Sequence, residues 1–155
     1  DRMKFRPARG PHRPRQGHRD QPISVERVHR HLPIAGLEDV QGLQAAYTAL
    51  LDQYYEIVLA TPAMRDIWSG MQADKQLLEL ELQESRIAGD LLAQAMLRVT
   101  PGADAQQLAD AAFLIWHLGE ATMRLAVSSG PEEGCRLVES FKRMSLHEIL
   151  GLVCH

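Results

Sequence analysis

Two cysteines, three phenylalanines, three tyrosines and two tryptophans are few for a chain of 155 residues. Cys135 and Cys154 supply neither a disulfide framework nor a metal-binding CxxC pair, which predicts a reducing, cytoplasmic setting. No run approaches the roughly 18–20 consecutive apolar residues that span a bilayer, so no membrane segment is expected. The basic N-terminal stretch is followed by no apolar run and does not read as a secretory signal. GxSxG, a P-loop and a GxGxxG in a strand–helix unit are all missing. The two Glu-x-x-His motifs on facing helices that di-iron bundles need are not both present either. No enzyme, no cofactor and no metal site are therefore expected. No window alternates with period two, which leaves an all-α chain.

What is present is a soluble-type composition with a split charge. Hydrophobic residues make up 45%, charged residues 24%, and the net charge is −3. Residues 1–31 hold nine of the 17 Lys and Arg against Asp1, Asp20 and Glu26, while the remaining chain sets eight basic residues against seventeen acidic ones. The body is thus a poor match for nucleic acid, and any DNA affinity must reside at the N-terminus. Pro7, Gly10, Pro11, Pro14, Gly17 and Pro22 interrupt that arginine-rich run, so residues 1–36 are expected to be an extended or disordered segment. A helical domain is expected over 37–155.

Within it, Leu43, Tyr47, Leu50, Leu51, Tyr54, Ile57 and Val58 recur at i, i+3, i+4 spacing, which predicts a helix to about Ala60. Thr61-Pro62 offers an N-cap and a first-turn proline for a short helix carrying Met64, Ile67, Trp68 and Met71. Asp74 caps a long helix to about Val99 that contains Gly89, where close approach of a neighbour is expected. Its charged stretch (Glu79, Glu81, Glu84, Arg86, Asp90) reads as a solvated face laced by pairs such as Arg86–Asp90. Asp104 with Gln107 resembles a capping box for a helix over Asp104–Ser129. Pro131, Glu132 and Glu133 open a last helix, with a kink allowed at Ser145–Glu148.

The helix over Asp104–Ser129 is apolar on nearly every side. Leu108, Ala111, Ile115, Leu118 and Leu125 follow one side, and Ala105, Ala109, Ala112, Gly119, Met123 and Ala126 the other. A helix apolar all round must be covered twice, and a chain this short leaves a second subunit as the natural second cover.

This order of helices over Leu37–Val153 resembles the C-terminal ligand-binding and dimerisation domain of TetR-family transcriptional regulators. The resemblance implies an antiparallel bundle of about five helices whose last two pair with their copies in a homodimer. It also implies a small apolar effector. Val28-His29-Arg30-His31-Leu32-Pro33 and Leu37 are similar to the end of that family's helix-turn-helix, but the lysine of that pattern is absent. The Arg/Pro-rich run stands where the reading helices belong. DNA is thus an expected partner only if a helix-turn-helix is present within or outside the N-terminal segment.

Tyr54, Tyr55, Met64, Trp68, Met71, Phe113, Trp116 and His117 are the expected effector contacts, since aromatic and Met side chains with a few polar groups line apolar pockets. Plain core packing is the alternative use of the same side chains. Ala112, Gly119, Met123, Leu137 and Phe141 are the expected dimer seam. The functional expectation is a TetR-type regulator, a repressor, sensing a small apolar molecule. The alternative is a helical homodimeric adaptor without a regulatory ligand.

Overall fold

The computed structural model of the chain describes residues 37–71 and 74–154. Among the described residues five helices follow one another: α1 (Val40–Ala60), α2 (Ala63–Met71), α3 (Lys75–Val99), α4 (Ala105–Ser128) and α5 (Pro131–Val153). Among the described residues there is no strand, and the fold is an all-α bundle. The expectation for residues 1–36 lies outside the described residues.

Local chemistry accounts for most of the boundaries. Asp39 accepts from the Gly42 amide at 2.6 Å, Asp74 from Gln76 at 2.8 Å, and Asp104 from Gln106 and Gln107 at 2.9 and 3.2 Å. Each satisfies amides that the first turn leaves without a helical partner. Gly130 takes φ +90°, a left-handed value that costs glycine little, and Pro131 then opens α5. Two expectations change. Thr61 caps the end of α1 rather than the start of α2, because its hydroxyl donates back to the Ile57 carbonyl at 2.9 Å. Ser145 does not restart the last helix, because its hydroxyl donates to the Phe141 and Lys142 carbonyls and α5 runs through unbroken.

The core is built from one stripe of each long helix. Leu43, Tyr47 and Leu51 of α1 meet Leu92 and Met96 of α3, Leu108, Ala112 and Met123 of α4, and Val138, Ile149 and Val153 of α5. α4 is the central member and packs most closely against α3 and α5. Glycine permits both approaches. A Cβ on Gly89 of α3 would stand 2.8 Å from the Phe113 Cα of α4, so these backbones cross almost in contact. Gly134, in the first turn of α5, faces the Ala126 carbonyl of α4 in the same way. Polar links close the ends: Thr100 donates to the Val153 carbonyl at 2.9 Å, and buried Lys142 of α5 bonds Asp52 of α1 and Glu139.

The structure sorts the two apolar sides of α4. Ala112 and Met123 have no exposed surface, Gly119 is buried under Phe141, and all three belong to the protomer's own core. Leu114, Leu118 and Leu125 point the other way and are 57%, 54% and 54% exposed. An apolar strip thus remains uncovered, but it is not the one formed by the small residues.

Candidate functional site

The centre of the bundle holds a carboxyl group. Glu120 of α4 is 6% exposed. One of its oxygens accepts from Ser85 Oγ of α3 at 2.6 Å and the other from Trp116 Nε1, one turn back on α4, at 3.2 Å. His117 Nδ1 lies 3.3 Å from the Ser85 hydroxyl and 3.8 Å from Glu120. The imidazole is about one-third exposed and continues outward, stacked on Phe113 with ring centres 6.1 Å apart. Arg86 then covers Phe113, its guanidinium carbon 4.5 Å from the ring centre. A polar and aromatic series therefore runs from solvent at Arg86 to the buried carboxyl. Glu81, also buried, forms an ion pair with Arg124 beside it.

These contacts revise the reading of α3. Its charged stretch is not wholly a solvated face: Glu81 points inward to Arg124, and Arg86 turns to Phe113 rather than being spent on Asp90. Ser85 is fully buried, and an isolated serine among charges carries no periodic signal that would mark it in the sequence.

Burial pushes the Glu120 carboxyl up from 4.5 to about 7. The Glu81 carboxylate pushes in the same direction, while the Ser85 and Trp116 hydrogen bonds and Arg124 oppose it. Burial and then the Glu120 charge also raise the Tyr54 hydroxyl. Because the folded value for Glu120 lies above the unfolded one, the fold takes up a proton between pH 4.5 and 7. The stability this group contributes is complete below about pH 4.5 and is lost as pH rises through 7, a swing on the order of 3 kcal/mol. Glu120→Gln, which keeps an acceptor and removes the charge, should therefore stabilise the domain by roughly 1–2 kcal/mol at pH 8. The gain should vanish at pH 5 in urea unfolding. A variant less stable than the parent at both values would contradict a carboxyl held neutral by burial.

Two clefts flank Trp116. One, of about 330 Å³ with its open mouth included, is lined by Leu37, Leu43, Tyr47, Leu50, Leu92 and Trp116 among others. The second, of about 260 Å³, is bounded by Tyr47, Leu50, Leu51, Tyr54, Ile115, Trp116, Gly119 and Glu120. Enclosed space is far smaller and amounts to about one water in each. The Tyr47 hydroxyl is buried and has no partner in hydrogen-bonding geometry. It lies near Ser145, whose own hydroxyl donates to backbone carbonyls.

The eight expected effector contacts do not converge on one place. Tyr54 and Trp116 share the cleft at Glu120. Phe113 and His117 lie on the outward series between α3 and α4. Met64 lines a separate open cleft of about 690 Å³ with Val58, Arg65 and Val127, where Arg65 donates to the Val127 carbonyl. Trp68 packs half-buried against the core. Tyr55 faces Gly134 at the start of α5. The side chain of Met71 lies outside the described residues.

A family model described as tetracyclin repressor-like, C-terminal domain, matches residues 41–151, from the first turn of α1 to the last turn of α5. The chain belongs to this family. No curated protein and no solved structure matches it. The tetracyclin repressor-like domain is a regulatory rather than an enzymatic class. Among its described residues no three His, Cys, Asp or Glu side chains come together as metal ligands. Among the described residues no helix is long and apolar enough to cross a membrane.

Proposed function

We propose that this chain is the dimerising and effector-sensing part of a cytoplasmic transcriptional repressor of the tetracyclin repressor type. The observation that carries the reading is the strip of Leu114, Leu118 and Leu125 on α4, each more than half exposed and turned away from the core. On α5, Leu137, Phe141 and Met144 recur at helical spacing; Met144 is exposed, Leu137 is half-buried, and Phe141 is half-buried over Gly119. Two copies joined through α4 and α5 would cover both strips in a four-helix arrangement with two-fold symmetry. The seam is thus proposed on Leu114, Leu118, Leu125, Leu137, Phe141 and Met144. Ala112, Gly119 and Met123 remain inside each protomer.

The effector compartment is proposed between α1 and α4 at Tyr54, Trp116 and Glu120. A molecule seated there separates two helices, one of which carries the seam, and so alters the relative orientation of the subunits. DNA contact requires a helix-turn-helix within residues 1–36 or elsewhere in the polypeptide.

The close packing around Trp116 favours a second reading, a helical homodimer that binds partners without an effector. Fluorescence separates the two. Of the two tryptophans only Trp116 adjoins the compartment, so a panel of small hydrophobic compounds should include some that change emission saturably and raise the melting temperature. Trp116→Phe should abolish the emission change. A dimer of twice 17.4 kDa whose emission and melting ignore the whole panel would establish the adaptor reading instead.

A further inference from the structure

Glu120 is an unusual wall for an apolar compartment. A desolvated carboxylate is costly unless a counter-charge or several donors accompany it. The groups that face it are Tyr54 from α1, Glu81 and Ser85 from α3, and Trp116, His117 and Arg124 from α4. Arg124 is the permanent cation in this set, and Glu81 already engages it. His117 is charged only when protonated and stands 3.8 Å away on the solvent side. Glu84 adds a further negative charge near Tyr54. Arg124 is thus shared: it ion-pairs with Glu81 and acts on Glu120 only from beside that pair. The neighbouring aromatic rings, Trp116 and Tyr54, present π-faces suited to a positive charge. The clefts on the two sides of Trp116 share Tyr47, Leu50 and the indole itself. Tyr47, 3% exposed, adds a hydroxyl without a partner.

We infer that the effector is a lipophilic cation, an amine or quaternary ammonium on a flat apolar body, whose charge is met by Glu120 beside Trp116. This deepens, and rests on, the proposed effector compartment. A neutral apolar molecule leaves the carboxyl unused, and an anionic one meets Glu81, Glu84 and Glu120 together. No covalent bond forms. As the cation seats, the Glu120 carboxyl releases one proton to solvent and remains as the carboxylate. Below the carboxyl's folded value near 7, each pH unit therefore weakens the cation's binding roughly tenfold, because one proton must leave per cation bound.

The test uses the full chain and three naphthalene probes of similar shape: 2-naphthylmethyl-trimethylammonium, 2-naphthylmethanol and 2-naphthylacetate. Calorimetry at pH 5.5, 6.5 and 8 is expected to rank the cation at least tenfold tighter than the alcohol at pH 8. The acetate is expected to be weakest. The cation's affinity should fall about tenfold per unit below pH 7, while the alcohol's stays level. At pH 6 the cation should release close to one proton, read from buffers of different ionisation enthalpy. Glu120→Gln should bring the cation down to the alcohol's affinity and flatten its pH profile, with helicity checked by circular dichroism. Should that variant fail to fold, the parent's pH profile and proton release decide alone. An alcohol that binds as tightly as the cation at every pH overturns the cationic effector and leaves the compartment standing. So does a cation whose binding survives Glu120→Gln. Binding by none of the three overturns both the cation and the compartment.

Discussion

Replacing Leu118 with Glu should convert a dimer of this chain into soluble monomers. Leu118 is 54% exposed on the protomer and lies mid-way along the outer strip of α4, so its side chain is free of the core and available to a second copy. A two-fold seam meets each of its residues twice, and one substitution places two carboxylates in it. Burying them without partners costs several kcal/mol; roughly 4 kcal/mol already weakens association about a thousandfold. Leu125→Glu should act in the same way. Light scattering should give 17.4 kDa for both variants with unchanged helicity, against twice that for the parent. Gly119→Glu and Ala112→Glu should behave differently. Both positions are sealed within the protomer, so these variants should lose helicity and aggregate. Stable dimers in both leucine variants would reject the outer face of α4 as the seam.

Gly134→Ala is expected to be the most damaging single-methyl change in the domain. An ideal Cβ there falls well inside contact with the Ala126 carbonyl oxygen and stands 2.7 Å from the Tyr55 hydroxyl. The tyrosine can move, but the carbonyl belongs to the backbone of α4 and cannot yield without shifting the α4–α5 pair. Overpacking of this kind costs about 2–3 kcal/mol or more, which overwhelms the roughly 1 kcal/mol that alanine gains over glycine in a helix. Gly151→Ala supplies the comparison, because nothing lies within 4 Å of its Cβ and only the propensity gain remains. Urea unfolding should therefore move the two variants in opposite directions. Equal stability of both would mean that α5 does not approach α4 as closely as described. Because α4 and α5 also carry the proposed seam, Gly134→Ala should weaken the dimer as well.

The helices and their ends were legible in the chain because the signals are local. Asp74 and Asp104 sit within three residues of the amides they cap, and Gly130-Pro131 brackets the start of α5. The 3.6-residue stripe of α1 appears in the core as the spacing implies, with Leu43, Tyr47, Leu50, Leu51 and Val58 all buried. Gly89 announced a close crossing, and Phe113 stands there. Thr61 shows the limit of a local signal, since a hydroxyl between two helices can serve either and here bonds back to Ile57.

Matters involving two distant segments were not legible. Periodicity identified α4 as apolar on both sides, yet nothing in α4 says which side its own protomer claims. That choice depends on how closely α3 and α5 approach, and Gly89 and Gly134 let them approach the side of Ala112, Gly119 and Met123. Leu114, Leu118 and Leu125 were left outside as a consequence. The same holds for the polar centre. Glu81, Ser85 and Glu120 look like surface residues in sequence, since charged side chains are seldom fully buried. They meet because the α3–α4 crossing at Gly89 and Phe113 brings Ser85 and Glu120 within 2.6 Å and gives Glu81 its partner in Arg124. The aromatic residues expected in one pocket were dispersed for a related reason. Helical spacing places them on apolar faces, whereas the crossing angles and axial offsets of four helices decide which faces enclose a common space.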